Sequence, residues 1–126
     1  MPDQINLNDI QLKLVNKHRE DFDEVSQETK VYDIMLGGKK IGKIETYHNS
    51  FGMNYVSQFK ISPQLRSKGI GSFVLKKFFK GYFISAGNPR VRSLYNRIGK
   101  GQDKFTGKEN KILAQSTGMW GTWRIK

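Results

Sequence analysis

Two glycine-containing segments have the residue types that bind phosphate groups. In the first, Gly69-Ile70-Gly71 follows a predicted strand and opens a predicted helix, and Arg66 and Lys68 add positive charge just before it. The first amides of a helix have no partner within the helix and lie at the positive end of its dipole, so such a turn suits an anion. The segment therefore predicts a phosphate-binding turn, with an ordinary strand-to-helix turn as the structural alternative.

Neither segment completes a nucleotide-binding fingerprint. The first lacks the third glycine of the dinucleotide motif, because Val74 stands at that position. The second, 37–44 (GGKKIGKI), nearly spells a P-loop, but Ile44 replaces the serine or threonine that binds Mg²⁺. Since it lies between two alternating segments, a hairpin turn at Gly37-Gly38 is the prediction.

The charge of the chain indicates an anionic partner. Lys and Arg number 22 against 11 Asp and Glu, a formal net charge of +11, and the acids are concentrated in the first 36 residues. A positive field of this size attracts polyanions and phosphorylated ligands. The candidate partners are a nucleic acid, a phosphate-rich cofactor and an acidic protein, and a basic surface that only maintains solubility is the alternative.

Composition excludes several classes of chemistry. Cysteine is absent, which excludes disulfides, Cys-ligated zinc and thiol catalysis and fits a cytoplasmic protein. The two histidines, His18 and His48, cannot build a metal site by themselves, so no metal is expected. No apolar run approaches the ~20 residues of a membrane span, and no signal-peptide pattern is present. We therefore expect a single domain over residues 1–126 with no membrane partner.

The local patterns predict an α+β (mixed α/β) fold. Alternating residues predict strands at 10–15, 30–36, 40–47 and 55–62, the last with its odd positions facing the core, and a short apolar strand at 82–86. Apolar spacing predicts helices over 72–80 and 89–98 and a short one within 16–28. A basic loop is expected at 100–110, followed by a final hairpin of 112–116 with 119–125.

Two motifs in this order resemble the GNAT superfamily of acyl-CoA N-acyltransferases. The central motif of that family reads Arg/Gln-x-x-Gly-x-Gly/Ala, and residues 66–71 (RSKGIG) match it after a strand that ends near Pro63. The second reads Asn-x-x-Ala-x-x-Leu-Tyr, and residues 88–95 (NPRVRSLY) keep its Asn, Leu and Tyr, with Val91 in place of alanine. The resemblance covers about residues 55–99 and implies a central mixed sheet with flanking helices.

The resemblance implies an acetyl-CoA-dependent N-acetyltransferase that moves an acetyl group directly to a primary amine. The pyrophosphate would lie on the backbone amides of residues 66–72, and the strand 59–61 would pair with the pantetheine arm and hold the developing oxyanion. Asn88 would contact the same arm. The implied cofactor-binding residues are Phe59, Lys60, Ile61, Arg66, Ser67, Lys68, Gly69, Ile70, Gly71, Ser72 and Asn88.

The resemblance also implies catalytic roles. Tyr95 would be the general acid that protonates the leaving thiolate, and its alternative is a helix tyrosine packed beside Leu94 in the core. The amine must be neutral to react, so a base is wanted. Glu45 is the first candidate and His48 the second, with a surface carboxylate and a loop imidazole as the alternatives.

The resemblance does not identify the acceptor amine, because the N-terminal region is predicted to be rich in strands. In the family, a helix pair often shapes the acceptor site there. The basic residues outside the turn favour an acidic or nucleic-acid-associated acceptor. The alternative function is a nucleic-acid-binding or protein-interaction module on a GNAT-like fold without catalysis. Its candidate residues are Arg90, Arg92, Arg97, Lys100, Lys104 and Lys108 for charge, and Phe105, Trp120 and Trp123 for stacking unless these aromatics belong to the core.

Overall fold

A seven-stranded mixed sheet with helices packed on it forms the described part of the chain, residues 6–22, 25–50, 52–66, 69–86, 91–113 and 121–126 of the computed structural model. The strands are β1 (Ile10–Phe22), β2 (Val25–Leu36), β3 (Lys39–Asn49), β4 (Asn54–Ile61), β5 (Phe83–Ser85), β6 (Gly99–Gly101) and β7 (Thr122–Ile125). The α-helices are α1 (Ile70–Phe78), α2 (Arg92–Ile98) and α3 (Gly107–Leu113). This confirms the α+β class.

The strand order is β1-β2-β3-β4-β5-β7-β6. The first four strands form antiparallel pairs, β4 and β5 are parallel because α1 connects them, and β7 runs antiparallel between β5 and β6. The turn between β2 and β3 consists of Gly37 and Gly38 with φ of 58° and 80°, which glycine adopts without a Cβ clash. The segment that nearly spells a P-loop is therefore a hairpin turn, as predicted.

The predicted short helix within 16–28 is wrong, because β1 and β2 extend through this region as a paired ribbon. Cross-strand contacts replace the local ones that a helix would make: Lys17 pairs with Glu28 at 3.6 Å, and Arg19 donates to the Ser26 hydroxyl at 2.9 Å. No family-like helix pair precedes β2 within the described residues.

The main core lies between the sheet and the face of α1 and α2. Ile34, Ile44 and Val56 of the sheet pack with Val74 and Leu75 of α1, and each is at most 3% exposed. Burying one such side chain is worth about 1.5–3 kcal/mol, so this layer fixes α1 on the sheet. A smaller cluster lies on the opposite face and joins Met53 and Phe83 to partly buried Tyr47, Tyr55, Phe105 and Ile112.

The prediction for β4 is correct at Phe59 and Ile61, which lie on the core face, and wrong in the first part of the strand. Val56, at an even position, is 3% exposed, whereas Ser57 is exposed and Ile61 is again buried. The reason is a β-bulge: Thr46 pairs with Val56 and Glu45 pairs with Gln58, so Ser57 is an extra residue and the side chains after it change face.

The C-terminal prediction is also wrong in part. Residues 107–113, expected as loop and strand, form α3, and β7 pairs with β5 and β6 rather than with a strand at 112–116. Residues 114–120 lie outside the described ranges. Among the described residues, no helix is both long and apolar enough to cross a membrane.

Candidate functional site

Parallel strands β4 and β5 separate after a short contact and leave a fork in the sheet. They pair only at Tyr55 with Phe83 and at Val56 with Ile84, whereas β4 continues from Ser57 to Ile61. Along that stretch, β4 has β3 on one side and no strand partner on the other among the described residues. A strand edge presents N–H and C=O groups, so an extended ligand can add there as a strand.

The N-terminus of α1 lies where β4 ends. Gly69, at the N-cap, has a φ of 78° and provides no capping side chain. The Phe73 N–H donates to the Gly69 carbonyl at 3.0 Å, so the amides of Ile70, Gly71 and Ser72 precede this bond. A Cβ built on Gly69 would meet no atom within 4 Å, so the space outside the turn is open. The predicted strand–turn–helix context is confirmed, and Ser67 and Lys68 lie outside the described residues.

Phe59 and Arg66 tie this turn to β4. A Cβ on Gly71 would lie 3.2 Å from the Phe59 ring, so a larger residue there would require this ring to shift by a few tenths of an ångström. The Arg66 Nε donates to the carbonyl of Ile61, the last residue of β4, at 3.1 Å. This bond holds the guanidinium between the turn and the end of the open edge, with its terminal nitrogens still able to donate.

Tyr95 on α2 is 6% exposed and packs edge to face on Trp123, with 5.5 Å between ring centroids. Burial, with a smaller contribution from the Tyr55 phenol, raises the pKa of Tyr95 to about 12. Tyr95 is thus a protonated donor close to Tyr55, which adjoins the last paired residue before the fork. The core interpretation of this residue is confirmed, and it is compatible with the role of an acid.

A group of hydroxyls at the base of the fork was not found by sequence reasoning. Burial raises the pKa of Tyr55, and hydrogen bonding to Ser85 partly offsets the effect. The Ser85 hydroxyl in turn lies 2.8 Å from the hydroxyl of Thr122, which is 1% exposed. Hydroxyl residues on strands are common, so no sequence signal distinguishes these three.

The structure separates the two candidate bases. Glu45 is half-buried on β3, and alternation places its side chain on the face opposite to buried Ile44 and Thr46, hence opposite to α1 and Tyr95. His48 lies 3.0 Å from the Thr46 hydroxyl through Nε2 and 2.8 Å from the Asn54 side-chain oxygen through Nδ1. Both ring nitrogens are engaged, so the structural interpretation of His48 is favoured.

The predicted stacking surface for nucleic acid is not present in the described residues. Trp123 is 4% exposed and donates to the Asn96 side chain at 2.8 Å, and the Phe105 ring packs on Phe83. Lys100 forms an ion pair with buried Glu109. Exposed charge remains at Arg92, Arg97, Lys104 and Lys108. Asn88, Arg90 and Trp120 lie outside the described ranges.

Comparison with known proteins adds no relative. No family model, no curated protein and no solved structure matches the chain.

Proposed function

We propose that this chain is an acetyl-CoA-dependent N-acetyltransferase of GNAT-like architecture that transfers an acetyl group directly to a primary amine. The observation that carries the proposal is that two kinds of binding group, a strand edge and the first amides of a helix, lie next to each other. The open edge of β4, from Ser57 to Ile61, ends near the first amides of α1, which have no partner within the helix. An extended arm that ends in a phosphate group is complementary to this combination.

The residues present fit the coenzyme. The amides of Ile70, Gly71 and Ser72, together with the Arg66 guanidinium, would hold its pyrophosphate, and the backbone of Phe59, Lys60 and Ile61 would pair with its arm. When bound, the coenzyme supplies an activated acetyl thioester. Main-chain N–H groups that face the fork are fixed before the reaction, so they can stabilise negative charge that develops on a carbonyl oxygen.

Two side chains would move protons on opposite sides of β4. Tyr95 carries its proton at neutral pH, as tyrosines ordinarily do, and can donate it to a leaving thiolate, although burial raises its pKa to about 12 and so makes it a weaker acid. Glu45 is half-buried on the other face and has an ionisable carboxylate that can accept a proton from the amine, directly or through water. Transfer then takes place across the edge of one strand.

Calorimetric titration with acetyl-CoA tests the proposal, and Gly69 offers a matched pair of variants. Gly69→Asn keeps the left-handed conformation, which asparagine tolerates, and should bind nearly as wild type does. Gly69→Trp places a large side chain in the open space outside the turn and should abolish binding. Thermal unfolding of both variants shows whether the fold is retained. Absence of binding to wild type at sub-millimolar ligand, or equal binding by a folded Gly69→Trp variant, would overturn the proposal.

A further inference from the structure

Four polar side chains form a compact group beside the open edge of β4. Lys43 and Glu45 on β3 pair with Lys60 and Gln58 on β4, in a stretch of regular antiparallel register. Residues directly opposite each other share a face, and so do residues two apart on one strand. The four therefore occupy the corners of one patch, which we term the β3–β4 quartet.

The quartet lies on the face opposite to α1. Ile44 and Phe59, which lie between its members on the two strands, belong to the core under α1. Lys43, Gln58 and Lys60 are exposed, and Glu45 is half-buried. The side chains of the quartet are thus accessible from solvent, next to the strand edge on which the thioester arm would lie.

The two lysines of the quartet are directly opposite each other, an arrangement that destabilises a sheet unless an anion lies between them. None of the ion pairs within the described ranges includes either lysine. The neighbouring Asp33, which faces Lys43 on β2, is paired with Lys40 at 3.2 Å. By contrast, another two lysines of the sheet, Lys17 and Lys30, share an anionic partner, because both lie beside the Glu28 carboxylate.

The other two members are suited to an amine. Glu45 and Gln58 each lie two residues along their strand from the lysine pair. Two residues of a strand span about 6.6 Å, so the separation is about 7 Å. The carboxylate and the amide oxygen can hold an ammonium group or accept its proton. The nearby lysine charges lower the pKa of such an ammonium group and so favour the neutral nucleophile.

On the basis of the proposed function, we infer that the acceptor is an anionic primary amine, with its phosphate or carboxylate group between Lys43 and Lys60 and its amine beside Glu45. In the transfer, the N–C bond forms as the C–S bond of the thioester breaks. The amine proton goes to Glu45, and the thiolate takes a proton from Tyr95. A purely cationic amine is repelled by the lysine pair.

The first experiment measures binding without acetyl-CoA, by amide chemical shifts of the full chain at about 0.15 M salt, where surface charges are screened beyond about 8 Å. The probes are O-phosphoethanolamine, β-alanine and ethanolamine. We expect saturable shifts at residues 42–45 and 58–61 with the two acidic probes, whose relative affinities distinguish phosphate from carboxylate, and none with ethanolamine. Lys43→Gln/Lys60→Gln should lose affinity about tenfold or more. The matched control, Lys76→Gln/Lys80→Gln on the opposite face, should not.

The outcomes separate the inference from the proposed function. Equal binding by the quartet variant, no shifts at the quartet, or displacement of both acidic probes by a short RNA with a steep salt dependence would overturn the inference. In the transfer assay with acetyl-CoA, the quartet variant should raise KM for the acidic amines about tenfold or more, and kcat should fall as well, because the bound amine loses the lysine charges that lower its pKa. Transfer to ethanolamine that is faster than transfer to the acidic amines would also overturn the inference, but it would support the proposed acetyltransferase. Quartet binding without any binding of acetyl-CoA would remove the proposed function alone.

Discussion

Tyr95 combines a packing role with a proton that the proposed reaction would use. Because its pKa is raised to about 12, deprotonation of this phenol does not limit activity at neutral or mildly alkaline pH. The ring is held on Trp123 whether or not the hydroxyl is present. Removal of the hydroxyl therefore isolates the chemical role from the structural one.

We expect Tyr95→Phe to lower kcat by about 100-fold, the lower end of what general acid catalysis contributes, with little change in the affinity for acetyl-CoA. Thiol release measured with an excess of acceptor gives kcat, and calorimetry gives the affinity. If the variant turns over at the wild-type rate, Tyr95 is not the acid and only packs in the core.

The pKa of a second residue, Glu109, predicts how the free energy of unfolding depends on pH. Its carboxylate is 4% exposed, and burial raises its pKa, but this is outweighed by Lys100, the Thr106 amide and Arg124, which together lower the pKa to about 2. A depressed pKa means that the folded state favours the ionised form. The stabilisation is complete above the unfolded value of about 4.3 and is lost as the pH falls towards 2.

Glu109→Gln should therefore lower the free energy of unfolding by about 1–3 kcal/mol at pH 7, because it leaves two cations without their shared anion. Denaturant unfolding at several pH values checks this. The deficit should shrink between about pH 4 and pH 2, where the wild-type carboxylate is protonated. Glu20→Gln on the exposed edge strand β1 is the control and should cost little. A deficit that stays constant down to pH 2 would contradict the electrostatic explanation.

At the scale of elements, α3 begins with a capping box that the sequence displays as Thr-x-x-Glu. The Thr106 N–H donates to Glu109 Oε1 at 2.9 Å, and the Glu109 N–H donates to the Thr106 hydroxyl at 3.2 Å. Thr106→Ala should cost about 1 kcal/mol, whereas Thr106→Ser, which keeps the acceptor oxygen, should cost only a few tenths. Chemical unfolding of both variants gives the comparison. Equal losses would show that the hydroxyl does not cap the helix.

The secondary-structure elements differ in whether a local sequence pattern predicts them. The hairpin at Gly37-Gly38 and the start of α1 could be predicted, because glycine positions and alternation are local signals. The Thr-x-x-Glu signal of α3 was also present, but the basic, glycine-bearing segment around it favoured a loop. The long β1–β2 ribbon could not be predicted, since its polar residues are matched by cross-strand partners such as Lys17 and Glu28.

The candidate site divides in the same way. The candidate phosphate-binding turn could be predicted from a short motif, whereas the fork depends on how briefly β5 pairs with β4. The bulge at Ser57 depends on the register with β3, and it decides that Phe59 faces α1 while Lys60 lies on the opposite face with the rest of the quartet. Register is a property of two distant segments, so the sequence alone leaves it open.

At the scale of the whole molecule, the net charge of +11 would attract the proposed anionic coenzyme before contact. Lys76 and Lys80 are exposed at the end of α1 that is remote from the turn. A helix of 9 residues is about 13 Å long, so these two charges reach the turn only through the long-range field. The Debye length is about 30 Å at 0.01 M salt and about 8 Å at 0.15 M, so the salt concentration controls how strongly the two lysine charges act at the turn.

Lys76→Gln/Lys80→Gln should therefore slow the association of acetyl-CoA severalfold at about 0.01 M salt and leave it unchanged at about 0.15 M, with the dissociation rate constant at both. Stopped-flow binding at the two salt concentrations measures these rates. Arg66→Gln is the counterpart, because its guanidinium is bonded at the end of β4 beside the turn, and its effect should appear in dissociation and persist at high salt. If the helix variant instead binds more weakly at the higher salt as well, those lysines contact the coenzyme, and the fork and turn do not contain the whole binding site.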